Sequence, residues 1–184
     1  MQQPHYITII TVEKLIPQIV SRVAKLESYY FKKHRTALKK SKKSHLNLDM
    51  DGDQLTSMEE LFLYPEDTSL EYRLKPQDFL ELLVEGGDYT AECLLLAYIL
   101  LERFLHSTRL SGMVNFHHLL GIAALVAHKF LEETGTWFFP EFSKLSGIEA
   151  CDLNKMEKLF LEGFNYNIYA KNSIWKHYLK VLVE

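Results

Sequence analysis

Apolar residues recur at three- and four-residue steps through most of this chain. Between 12 and 35 they are Leu15, Ile19, Val20, Val23, Leu26 and Tyr30, the spacing that places them on one face of a helix. Pro17 falls inside that pattern and suits a first turn or a kink. Further helices are predicted over 76–85, 89–106, 116–132, 140–146, 150–163 and 172–184, each with its punctuation. Pro76 and Pro140 stand at first-turn positions, and Gly86-Gly87 and Gly147 stand at helix ends. Asp88 or Thr90 can cap the helix beginning near 89, and Asn115 can cap the one beginning at 116. Strict alternation never persists long enough to require a sheet. The fold class read from the pattern is all-α, with six to eight helices.

The helix over 116–132 differs from the rest because it is apolar nearly all round, in the stretch "GIAALVAHKFLEE". Such a helix is buried on several sides, and Gly121, Ala123, Ala124 and Ala127 let neighbours approach closely. The implied architecture is a central hydrophobic helix ringed by amphipathic ones. Its C-terminal turn has to reach the surface, because Lys129, Glu132 and Glu133 are seldom buried unpaired.

One region breaks the pattern. Seven Lys or Arg lie between 32 and 43, and the acidic "DMDGDQLTSMEE" follows shortly after. Charge blocks of this kind bury too little apolar surface to order themselves. The organisation read from the chain is an N-terminal helical extension over 1–35, a charged linker or insertion over 36–74 (mobile above all at 36–60), a main body over 75–170, and a C-terminal helix over 171–184.

Composition narrows the class. A chain of 184 residues that is 47% hydrophobic and 24% charged can bury a real core. The longest apolar runs fall short of the roughly 18–20 residues of a membrane span. The opening "MQQPHYITIITVEKLIPQIV" lacks a basic n-region and a small-residue cleavage site. Cys93 and Cys151 make neither a disulfide framework nor a zinc pattern, so the expected setting is intracellular, in cytoplasm or nucleus. The net charge of −3 argues against nucleic acid as the main partner.

Motifs for chemistry are weak. Asp49, Asp51, Asp53 and Glu60 fall at positions 1, 3, 5 and 12 of a calcium loop, but position 6 is Gln54 where glycine is needed; an acidic linker is the better reading. His106, His117, His118 and His128 show no metal spacing with carboxylates, and His117-His118 read as first-turn surface residues. There is no Gly-rich phosphate loop, nucleophile elbow or HExxH, so no catalytic residue, metal or cofactor is assigned. The basic run reads as a solvated linker rather than a nuclear-import signal. Trp137, Phe138 and Phe139 form an aromatic cluster that suits core anchoring, the alternative being a partner-facing role for one of the three.

Read together, "LLLAYILLERFL", "NFHHLLGIAALVAHKFLEE", "FPEFSKLSGI" and "LNKMEKLFLEGFNYNIY" resemble, in order and spacing, a cyclin box. The branch they look most like is the single-box P/U type, which includes cyclins of yeast phosphate signalling. The resemblance covers about 75–170, more weakly the first helix. It implies a five-helix box around a central third helix, and a non-catalytic regulatory subunit that forms a heterodimer with a cyclin-dependent kinase in cell-cycle or phosphate signalling. In that family a lysine near the end of the third helix and a glutamate in the fifth contact the kinase; the matching residues are Lys129 and Glu157. Phe130, Glu132, Leu161 and Tyr166 match family positions on the same face. Glu102-Arg103 stands where the family usually has Asp-Arg. "PQDFLELLVEG" lacks the Met-Arg-x-Ile-Leu pattern of cell-cycle cyclins, which argues against a substrate-docking groove of that kind. The alternative is a cyclin-fold module serving as a nucleic-acid-binding or adaptor protein.

Overall fold

The fold was obtained as a computed structural model that describes residues 11–41, 61–63, 75–87, 89–108, 110, 114–131 and 139–183. Within these, seven helices succeed one another: α1 (Val12–Ser41), α2 (Pro76–Gly87), α3 (Ala91–Ser107), α4 (Phe116–Leu131), α5 (Phe139–Ser146), α6 (Ala150–Gly163) and α7 (Asn172–Val183). A single antiparallel bridge joins Leu63 to Val114. The class is all-α, as the periodicity predicts. The calcium-like segment at 49–60, the bulk of the charged region, and Trp137 and Phe138 lie outside the described residues.

The local chemistry sets most boundaries. Thr90 accepts a hydrogen bond from the Cys93 amide at 3.3 Å, and Asn115 Oδ1 accepts one from the His118 amide at 3.2 Å; each satisfies an otherwise orphaned helix-start donor. Gly147 has φ +69° and ends α5 in the left-handed conformation that glycine adopts without steric cost. The first helix is the exception. It runs to Ser41, beyond the end expected near residue 35. Lys, Arg, Ala and Leu are good helix formers, so a basic stretch lacking an apolar face can still continue a helix already nucleated upstream. Pro17 sits within α1, where it removes the bond its amide would have made to the Glu13 carbonyl.

Burial shows two helices at the centre, where the pattern singled out one. Residues 119–128 of α4 are all buried, and so are Cys93–Leu101, Phe104 and Leu105 of α3. The other helices contribute one face each: Leu15, Ile16, Ile19 and Val23 from α1, Phe79, Leu80 and Leu83 from α2, and Leu153, Met156 and Phe160 from α6. The small residues of α4 do what their size suggests. A Cβ at Gly121 would come within 3.1 Å of Ile148 Cδ1 and 3.4 Å of Phe79 Cζ. At Gly163 the approach is closer still, 2.5 Å to Phe104 Cε2, because the Phe104 ring stacks on Phe160 with centroids 4.8 Å apart.

The paired histidines are half-buried and hydrogen-bonded rather than free on the surface. His118 Nδ1 lies 2.8 Å from the Leu61 carbonyl, and His117 Nε2 lies 2.6 Å from the Ser146 carbonyl. Each therefore donates from that nitrogen and ties a separate segment to the start of α4. The two adjacent side chains point apart, as helical geometry requires, but both directions meet protein. His117 Nδ1 is buried without a hydrogen-bond partner, and the ring stands edge-on to Phe79 at 4.6 Å. Burial lowers its pKa, against a smaller raising effect of the Ser146 carbonyl and a further lowering by His118. A depressed folded-state pKa contributes stability that is full above the unfolded value of about 6.5 and is lost as pH falls through the folded one. His117→Gln keeps a donor for Ser146 and removes the proton. Urea unfolding at pH 7.5 and 5.5 should show a smaller acid loss in this variant than in the parent chain; equal losses would exclude His117 as the source.

Candidate partner-docking site

The end of α4 is where the buried helix meets solvent. His128 is buried with its ring tilted against that of Tyr89, centroids 4.8 Å apart; the next two residues, Lys129 and Phe130, are exposed. A cation in the last turn is favourable beside the partial negative charge of a helix C-terminus. Lys129 also has a specific partner. Its Nζ lies 2.8 Å from both carboxylate oxygens of Glu157, with the two side chains 33% and 21% exposed. The ion pair joins α4 to α6 and stays partly hydrated.

Helix α6 explains why Glu157 faces that way. Leu153, Met156 and Phe160 are buried on its inner stripe, which leaves Glu157 and, one turn on, Leu161 half-buried at the edge of that stripe. The chain then turns sharply. Phe164 is buried, the Tyr166 amide donates back to the Leu161 carbonyl at 2.8 Å, and Asn165 and Tyr166 take φ values of 53° and 57°. Asparagine tolerates the left-handed region; an aromatic residue there is strained, at a cost of roughly 1–3 kcal/mol. The turn leaves Tyr166 58% exposed and Tyr169 55% exposed.

Lys129, Glu157, Leu161 and Tyr166 are therefore linked by direct contact or by position on one helix, and Phe130, 39% exposed, follows Lys129 at the same helix end. Glu132 lies outside the described residues. Tyr169 is an exposed aromatic that the pattern along the chain did not single out. Asn165 was a legible signal for a left-handed turn; nothing in the sequence marks Tyr166 for the same conformation.

The acidic–basic pair on α3 works inward. Glu102 accepts hydrogen bonds from Tyr98, one turn away, and from Tyr178 on α7 at 2.7 Å. Burial, then the bonds to this carboxylate, push both phenols well above the ordinary tyrosine range. Arg103 donates to the carbonyls of Asn167 and Tyr169, and desolvation lowers its pKa. Glu102 thus anchors α7, whereas Arg103 anchors the segment that follows α6.

The Lys129–Glu157 pair thus sits at the exposed end of the buried helix α4 in an all-α fold. The sequence profile of the cyclin family matches residues 19–168, so the chain belongs to the cyclin family, with the likeness falling on the P/U type. Among curated proteins it is similar to Cyclin-U4-1 of Arabidopsis thaliana, 28% identical over 109 residues that make up 58% of this chain and 53% of that protein. Cyclin-U2-2 of the same plant is 31% identical over 85 residues, 45% of this chain and 36% of that protein. The chain spans about half the length, or less, of these relatives. No solved structure matches it significantly. Among the described residues, no helix is long and apolar enough to cross a membrane.

Proposed function

We propose that this chain is the regulatory, activating subunit of a cyclin-dependent protein kinase and performs no catalysis itself. The observation that carries the reading is the bidentate Lys129–Glu157 pair at the end of a buried helix, with exposed Phe130 next in sequence to Lys129 and exposed Tyr166 in the turn that follows α6. A kinase is active only when its internal lysine–glutamate pair is formed and its activation loop is placed. A subunit that binds that arrangement better than the inactive one shifts the population toward it by its differential affinity. Apolar side chains around the pair would supply most of the affinity, and the charges the register. Glu132 is included in the proposed kinase contact on its sequence match to a family position alone.

The test mixes the purified chain with each cyclin-dependent kinase subunit of its source organism. A one-to-one complex by light scattering, with increased phosphorylation of a peptide substrate, is the expected result with at least one of them. Failure with all of them, together with salt-dependent binding to duplex nucleic acid, would replace this reading by the nucleic-acid one.

A further inference from the structure

We infer that residues 164–170 form a strained docking hook that presents Tyr166 and Tyr169 to the partner, and that Arg103, which touches no partner itself, is the positioning residue that latches it. This rests on the kinase reading above. Three observations converge on the segment. First, two consecutive non-glycine residues, Asn165 and Tyr166, hold left-handed conformations. Strain of this kind persists only where the surroundings over-determine it, and it is concentrated at functional positions. Secondly, the segment ends with two of the most exposed large side chains in the described structure, Tyr166 and Tyr169. Exposed tyrosines held on an ordered backbone are the side chains that serve best as contact anchors, since few rotatable bonds have to be frozen on binding.

Thirdly, the backbone carrying these tyrosines is fastened from outside. The Arg103 guanidinium donates to the carbonyls of Asn167 and Tyr169, so one fork from α3 spans the exposed part of the hook. Trp175 Nε1 donates to the Ala170 carbonyl at 3.1 Å and closes its far end. The near end is closed by the Tyr166 amide on the Leu161 carbonyl, one helical turn beyond Glu157. The hook is thereby continuous with the Lys129–Glu157 pair. Two carbonyls held by one planar fork need the geometry of arginine; a lysine ammonium at the end of a flexible stem satisfies them only in part.

The experiment compares Arg103→Ala, Arg103→Lys and Tyr166→Ala with the parent chain. It follows amide hydrogen exchange in the isolated chain and affinity for the kinase identified above. In Arg103→Ala, exchange at the Tyr166, Asn167 and Ile168 amides should quicken while α4 and α6 keep their protection. Kinase affinity should fall about tenfold, as expected for loss of charge-assisted hydrogen bonds that pre-organise a contact. Arg103→Lys should recover part of both, and keeps the charge if the alanine variant folds poorly. In a Tyr166→Ala background, Arg103→Ala should cost clearly less affinity than alone, because it acts through the hook. Unchanged exchange would overturn the latch. Quickened exchange with parental affinity would overturn the hook as a docking element while leaving the kinase reading intact. If the parent chain binds no kinase, the kinase reading fails and the docking role goes with it; the exchange arm still reports on the latch separately.

Discussion

Lys129→Ala and Glu157→Ala should each weaken the proposed kinase complex by about 2–5 kcal/mol, the usual cost of removing one member of a charge pair that becomes desolvated at an interface. Each deletion leaves the other charge facing the partner uncompensated. The fold should survive. With side chains 33% and 21% exposed, the pair is still partly hydrated in the isolated chain, and such pairs contribute about 1 kcal/mol or less to stability. The double variant should be less than additive, since the two side chains contact each other directly. Because the bond between α4 and α6 lies within the chain, one further variant separates bracing from docking. Lys129→Glu with Glu157→Lys keeps the intramolecular attraction and inverts the charges offered to a partner. Parental melting with lost kinase binding is the expected result. Normal binding by the swapped pair, or lowered melting temperatures with normal binding by the alanine variants, would reduce Lys129 and Glu157 to a brace between helices.

Phe104→Ala should cost about 3–5 kcal/mol of stability, the range for deleting a buried aromatic ring. Phe104 is fully buried. Its ring stacks on Phe160 of α6 at 4.8 Å, lies 5.3 Å from Phe62, and fills the space over Gly163. The cavity would open where α3, α6 and the 61–63 segment meet, and α6 carries Glu157. The melting temperature should therefore fall well below the parental value, with the kinase affinity of the surviving folded fraction also reduced. A loss below 1 kcal/mol in denaturant unfolding would show that the rings around Phe104 can collapse into the space.

Helix type and order were legible along the chain because apolar spacing and end-capping chemistry act over a few residues. Leu15, Ile19 and Val23 predict their own burial, Thr90 and Asn115 their caps, and Gly147 its turn. The run of α4 likewise announces a buried helix that emerges at Lys129, since no fold easily buries an unpaired ammonium. The reach of α1 to Ser41 was less legible, because charge patterning and helix propensity point opposite ways there and propensity prevails. What the sequence by itself determined is thus the set of helices, their inner faces and the place where the central one reaches solvent. Only the tertiary structure decided which distant groups meet: Lys129 with Glu157 across 28 positions, Tyr178 with Glu102 across 76, and Arg103 with the carbonyls of 167 and 169. These contacts depend on how packed helices orient their edges, and a backbone carbonyl has no residue type to announce it. The two histidines show the same limit, because a polar side chain at a helix start looks exposed until another segment brings its carbonyl there.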